Sequence, residues 1–168
     1  MTTLGRQRWH SLCFASRLVL CALFFLGMWH GDRGLAATTE MIVVDRNSGL
    51  AIYGFDPVAY FTDSKARTGS EDLEFNYSGA AWRFTNEGNR AAFIKDPDVY
   101  MPQYGGYDPV AVSEGVVRPG HPEFFAIHQQ RLFLFYSAEA KKAFEADPDT
   151  MARQADANWP ALSKTLVP

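Results

Sequence analysis

The stretch LFLFYSAEAKKAFEADPDTM, residues 132–151, decides the fold, because the chain has already written it once, as AWRFTNEGNRAAFIKDPDVY at residues 81–100. Laid over each other at an offset of 51 residues (132 − 81), the two need no gap. Phe84 then meets Phe135, Ala92 meets Ala143 and Phe93 meets Phe144. Asp96-Pro97-Asp98 meets Asp147-Pro148-Asp149. Upstream, GFDPVAY at residues 54–60 matches GYDPVAV at residues 106–112 with an offset of 52 (106 − 54), so one residue is lost between loop and hairpin. Order and spacing held over so long a run mark an internal repeat.

Each unit reads as loop, hairpin, helix. In the first, Leu73, Phe75 and Tyr77 alternate with Glu74 and Asn76, Ser78-Gly79 supplies a turn, and Trp82 and Phe84 share a face. That pattern predicts a half-buried hairpin. In the second, FFAIH and RLFLFY are apolar on both faces, which predicts a deeper hairpin. Asn86 and Ser137 stand where helix N-caps belong. Both helices are expected to stop at Asp96 and Asp147, since a following proline disfavours helical backbone. A last helix would put Met151, Ala155 and Trp159 on one stripe. The fold expected is a small single α+β domain of two pseudo-repeated units plus a C-terminal helix. Phe84, Phe93, Phe135 and Phe144 are expected to meet near its pseudo-axis.

Residues 1–37 are set apart. Arg6, Arg8 and Arg17 precede the apolar run LVLCALFFLGMW, residues 18–29, and small residues follow in GLAA. This is the order of a secretory signal peptide, and the run is short of the ~20 residues that span a bilayer. The domain plan is therefore a leader (1–37), a lead segment (38–52), the repeat domain (53–160) and a tail (161–168), with a periplasmic or secreted location and no membrane span after cleavage. Both cysteines, Cys13 and Cys21, fall in the leader, so the remainder has neither disulfide nor thiolate ligand. Removing the leader leaves 12 of 16 basic and 18 of 19 acidic residues, a net charge near −6. With no basic cluster, nucleic acid is not an expected partner.

The motifs GFDPVAYF, Trp82-x-Phe84, NRAAF and DPDVYMPQYGGY, with ADANWP near the end, resemble the YHS domain family over residues 53–159. The resemblance implies a small α+β fold, an exported single-domain member and a role in metal binding, since relatives commonly carry cysteine after GGY. This chain has Asp108 there. A thiolate for a soft metal is lost, so the implied metal does not transfer directly. Asp108, His121 and His128 are the remaining candidates for Zn²⁺ or Cu²⁺.

A second candidate site needs no metal. Tyr100, Gln103, Tyr104, Gly105, Gly106, Tyr107 and Asp108 would bring aromatic walls and a close-approach glycine pair to one loop, fit for a small ligand. The alternative for the tyrosines is that they cover the seam between repeats with their hydroxyls in water. Asp56 and Asp108, both in Asp-Pro, read as turn formers that accept N–H bonds within their own loops. On that reading Asp108→Asn would be close to silent.

Catalysis has few handles. Ser113, Ser137 and Ser163 occupy no G-x-S-x-G elbow, and YGGYDP lacks the spacing and lysine of a phosphate loop. The function expected is a non-catalytic module that binds a small ligand or metal. The alternative is an envelope protein–protein interaction module. An enzyme comes last.

Overall fold

The computed structural model describes residues 40–167; the expected leader lies outside them. Two antiparallel hairpins carry the repeat. Strand β1 (Ser70–Tyr77) pairs with β2 (Ala80–Phe84), and β3 (His121–His128) pairs with β4 (Arg131–Phe135). Their registers coincide at the offset of 51: Phe75↔Trp82 becomes Ala126↔Phe133, and Tyr77↔Ala80 becomes His128↔Arg131. Even the register irregularity recurs, between Ser70 and Glu74 and between His121 and Phe125. Ser78 and Gly79 turn the first hairpin with φ of 49° and 79°; Gln129 and Gln130 turn the second with φ of 50° and 59°. Two positive φ values are the hand that matches strand twist in a two-residue hairpin.

A helix pair follows each hairpin. Helix α1 (Ala59–Thr62) precedes the first, and α2 (Glu87–Lys95) and α3 (Pro97–Tyr100) follow it. Helix α4 (Pro109–Ser113) precedes the second, and α5 (Ala138–Ala146) and α6 (Pro148–Leu162) follow it. Asn86 and Ser137 cap α2 and α5 as expected, accepting from the N–H groups of Asn89 and Ala140. Asp96 and Asp147 leave helical geometry at φ of −140° and −152°, and each proline opens the next helix. A proline at the first helical position lacks only an N–H that would have no partner there. The units differ in what comes next. Helix α3 has 4 residues and α6 has 15.

The four phenylalanines are buried, but they do not meet at one point. Phe84 and Phe93 are 5.3 Å apart in one core with Trp82, and Phe135 and Phe144 are 5.2 Å apart in another with Phe133. Strand β4 divides the two. Its Leu132 and Leu134 face the first core and its Phe133 and Phe135 the second. The second hairpin is apolar on both faces for this reason.

The segments read as lead and tail are part of the body. Ile42 enters the first core and Val43 the second, so successive side chains of one short stretch stitch the two together. Met41 N–H donates to Val167 O at 2.7 Å, and Leu166 is buried. The described residues, 40–167, all fall within one compact unit. Among the described residues no helix is long and apolar enough to cross a membrane.

Candidate functional site

The loop PQYGGYDP is shaped by its backbone. The turn Gln103–Gly106 holds Tyr104, Gly105 and Gly106 at φ of 55°, 64° and 92°. Three left-handed residues in a row need glycine where space is short. It is short at Gly105, where a Cβ would overlap the Met41 carbonyl oxygen. Residues 41–43 occupy the cradle that the glycine pair makes, and Val43 N–H donates to Gly105 O at 2.8 Å. The close approach expected of Gly105 and Gly106 is therefore an approach by the chain itself.

The tyrosines turn inward. Tyr104 is 5 % exposed and its hydroxyl donates to Asp156 Oδ1 at 2.8 Å. Arg131 grips both oxygens of Asp156, at 2.6 and 3.0 Å, and donates to Gln103 Oε1 at 3.0 Å. Burial, then Asp156, pushes the Tyr104 hydroxyl up, so it serves as a fixed donor rather than a base. The Arg131 hydrogen bonds hold the Asp156 carboxyl below its usual range. Tyr107 is buried, donates to Glu40 O at 2.7 Å and lies 6.1 Å from the Trp159 ring. Half-buried Tyr100 stands edge-on to Phe61. The hydroxyls of Tyr104 and Tyr107 thus donate to partners within the protein.

Asp108 is 2 % exposed. Oδ1 accepts from Val110 N–H at 2.8 Å, which caps α4, and Oδ2 accepts from Tyr136 N–H at 3.0 Å. Asp56 does the same with more bonds. Its Oδ1 takes Val58 N–H and its Oδ2 takes Thr85 N–H, Thr85 Oγ1 and Asn89 Nδ2. Thr85 and Tyr136 are 51 residues apart (136 − 85), each just past the second strand of its hairpin. The acids therefore do more than turn their loops. Each ties its loop to the exit of the following hairpin. The purely local reading is corrected, because a carboxylate has two oxygens and the turn uses only one. Burial raises the Asp108 carboxyl, opposed by the N–H groups that point at it.

The proposed metal donors are not brought together. His121 and His128 begin and end β3. They stand opposite Phe135 and Arg131, so four steps of β4, roughly 13 Å at about 3.3 Å per residue, separate the two places. His128 Nε2 lies 2.7 Å from Asp149 Oδ1, which also accepts from Gln129. Exposed His121 accepts from Glu123 N–H through Nδ1. Asp108 points inward. Among the described residues no three His, Cys, Asp or Glu side chains converge, so this donor set does not fit Zn²⁺ or Cu²⁺ at about 2.0–2.2 Å.

An open cleft of 430 Å³ lies elsewhere, between residues 40–46 and the first hairpin tip, with Met41, Arg46 and Ser78 in its wall. No motif pointed to it, because it arises from the packing of the lead segment. Compared with protein-family models, with curated proteins and with solved structures, the chain has no match.

Proposed function

We propose that this chain is an exported, non-catalytic module of the YHS type that works in the periplasm or outside the cell by contact with an envelope protein. Export is supported by the charged, apolar, small-residue order of residues 1–37, and the family by GFDPVAYF and PQYGGY. The observation that carries the choice of protein contact is at the tyrosine loop. Tyr104, Tyr107 and Asp108 spend their polar atoms inside the chain, and residues 41–43 fill the space before Gly105. Meanwhile large apolar side chains stand outside: Val99 is 52 % exposed, Val116 50 % and Tyr136 55 %. A second reading, a small ligand, draws support from the cleft beside Met41 and Ser78.

One experiment separates the two. A photo-crosslinking amino acid is placed at Val99, Val116 and Tyr136 in turn, and the mature protein is irradiated in cells. A discrete protein adduct at one position is the expected result. Native mass spectrometry of the same preparation reads any retained ligand. No adduct at any position, together with a stoichiometric small-molecule mass, would overturn the protein-contact reading.

A further inference from the structure

The first hairpin ends in Glu74-Phe75-Asn76-Tyr77-Ser78-Gly79. Of five asparagines in the sequence, Asn76 alone has a serine or threonine two residues on. The residue between is tyrosine and not proline, and an acid stands two places before. We propose that Asn76 is an acceptor for N-linked glycan, transferred from a polyprenyl-diphosphate-linked oligosaccharide by a membrane oligosaccharyltransferase. The inference rests on the export reading for its setting in the cell.

The geometry suits an acceptor. Asn76 and Ser78 are exposed, and neither side chain makes a hydrogen bond among the described residues. Strand alternation turns Phe75 and Tyr77 toward the first core and Asn76 to the solvent face beside Glu74. Across the ladder its partner is Ala81, the smallest side chain that could stand there apart from glycine. A sugar on Asn76 therefore displaces nothing from the core and breaks no side-chain bond. The sequon also sits at the tip of the first hairpin. Asn76↔Ala81 and Tyr77↔Ala80 are the last two pairs before the turn, so a transferase has only the hairpin tip to open. Ser78, at φ 49°, begins that turn, and its free hydroxyl is the group such enzymes read. The equivalent position in the second unit is Ile127, so the acceptor belongs to the first unit alone.

The chemistry balances without a redox partner. The Asn76 amide nitrogen forms a bond to the anomeric carbon of the first sugar. The bond from that carbon to the diphosphate oxygen breaks, and the polyprenyl diphosphate leaves with the electron pair. The amide nitrogen gives up one proton.

The test uses the purified full chain with a purified single-subunit oligosaccharyltransferase and a synthetic polyprenyl-diphosphate heptasaccharide, read by intact mass. The expected result is a gain of one heptasaccharide, lost in Asn76→Gln and in Ser78→Ala and retained in Ser78→Thr. A peptide covering residues 72–80 runs alongside. A modified peptide with an unmodified full chain would overturn the proposal, since the folded tip would then block the enzyme. Full chain and peptide both unmodified, or a mass gain that survives Asn76→Gln, would overturn it as well. Export is read separately, by N-terminal sequencing of the cellular protein, so failure of that reading shows itself independently.

Discussion

Asp56 and Asp108 show how far single residues were legible. Both were recognisable as turn formers from Asp-Pro, and both cap their turns through Oδ1. Their second oxygens reach Thr85 and Tyr136, 29 and 28 residues away, and no local rule reports that. The consequence reverses the silent-substitution expectation. Asparagine at either position would set an NH₂ group against N–H donors at one end. An unsatisfied buried group costs about 1–3 kcal/mol, so Asp108→Asn should lower unfolding free energy by that order. Asp56→Asn should cost more, because three donors converge on its Oδ2. Urea denaturation of both variants checks the size and the order. Asp156 is tested by pH. Its folded pKa is depressed by Arg131, so its stabilisation is present above the usual carboxylate value of about 4 and disappears as pH falls through the lower folded value. Asp156 is about half exposed, so the effect is screened. Asp156→Asn should cost about 0.5–1 kcal/mol at pH 7, and the gap from the parent should narrow in acid denaturation curves as pH falls below the usual carboxylate range.

At the scale of elements, pattern and repeat reinforced each other. The first hairpin had alternation and a Ser-Gly turn, and the second was apolar on both faces with no turn signal; the offset carried the assignment from one to the other. The Gln129-Gln130 turn had no signal of its own, since glutamine has no preference for positive φ. It is held there by the register of β3 with β4 on either side. A left-handed residue with a Cβ costs about 1–2 kcal/mol, so Gln130→Gly should stabilise the protein by about 1 kcal/mol, less the entropy glycine adds to the unfolded chain. A raised melting temperature checks this, and Gln130 is the better choice because Gln129 also donates to Asp149. The end of α6 was legible less clearly. Met151, Ala155 and Trp159 share its buried side as expected, but the helix runs on through Pro160 to Leu162.

For the molecule as a whole, β4 is the joint. The Leu132 and Leu134 side chains leave the second unit to fill the core of the first, where Arg83 and Ala81 hold the equivalent places on β2 and face outward. Two units that share a strand should not unfold separately. Calorimetry should therefore give one cooperative transition, with calorimetric and van't Hoff enthalpies equal. Leu134→Ala should cost about 2–5 kcal/mol and speed amide exchange in β2 and α2 as well as in β4. Two transitions in the parent protein, or exchange confined to the second hairpin, would show that the cores are independent.

By itself the sequence determined the repeat, the hairpins, the caps and the helix stops, because each depends on side chains within a few residues or on comparison of one stretch with another. Tertiary structure alone decided what the tyrosine loop and the acids bond to. Whether Gly105 cradles a ligand or Met41 depends on where residues 41–43 run, 62 or more positions upstream. Whether Tyr104 faces a cavity or Asp156 depends on α6, which the first unit lacks. Composition shows that such groups exist; only the packing of distant segments shows which partner has already taken their hydrogen bonds.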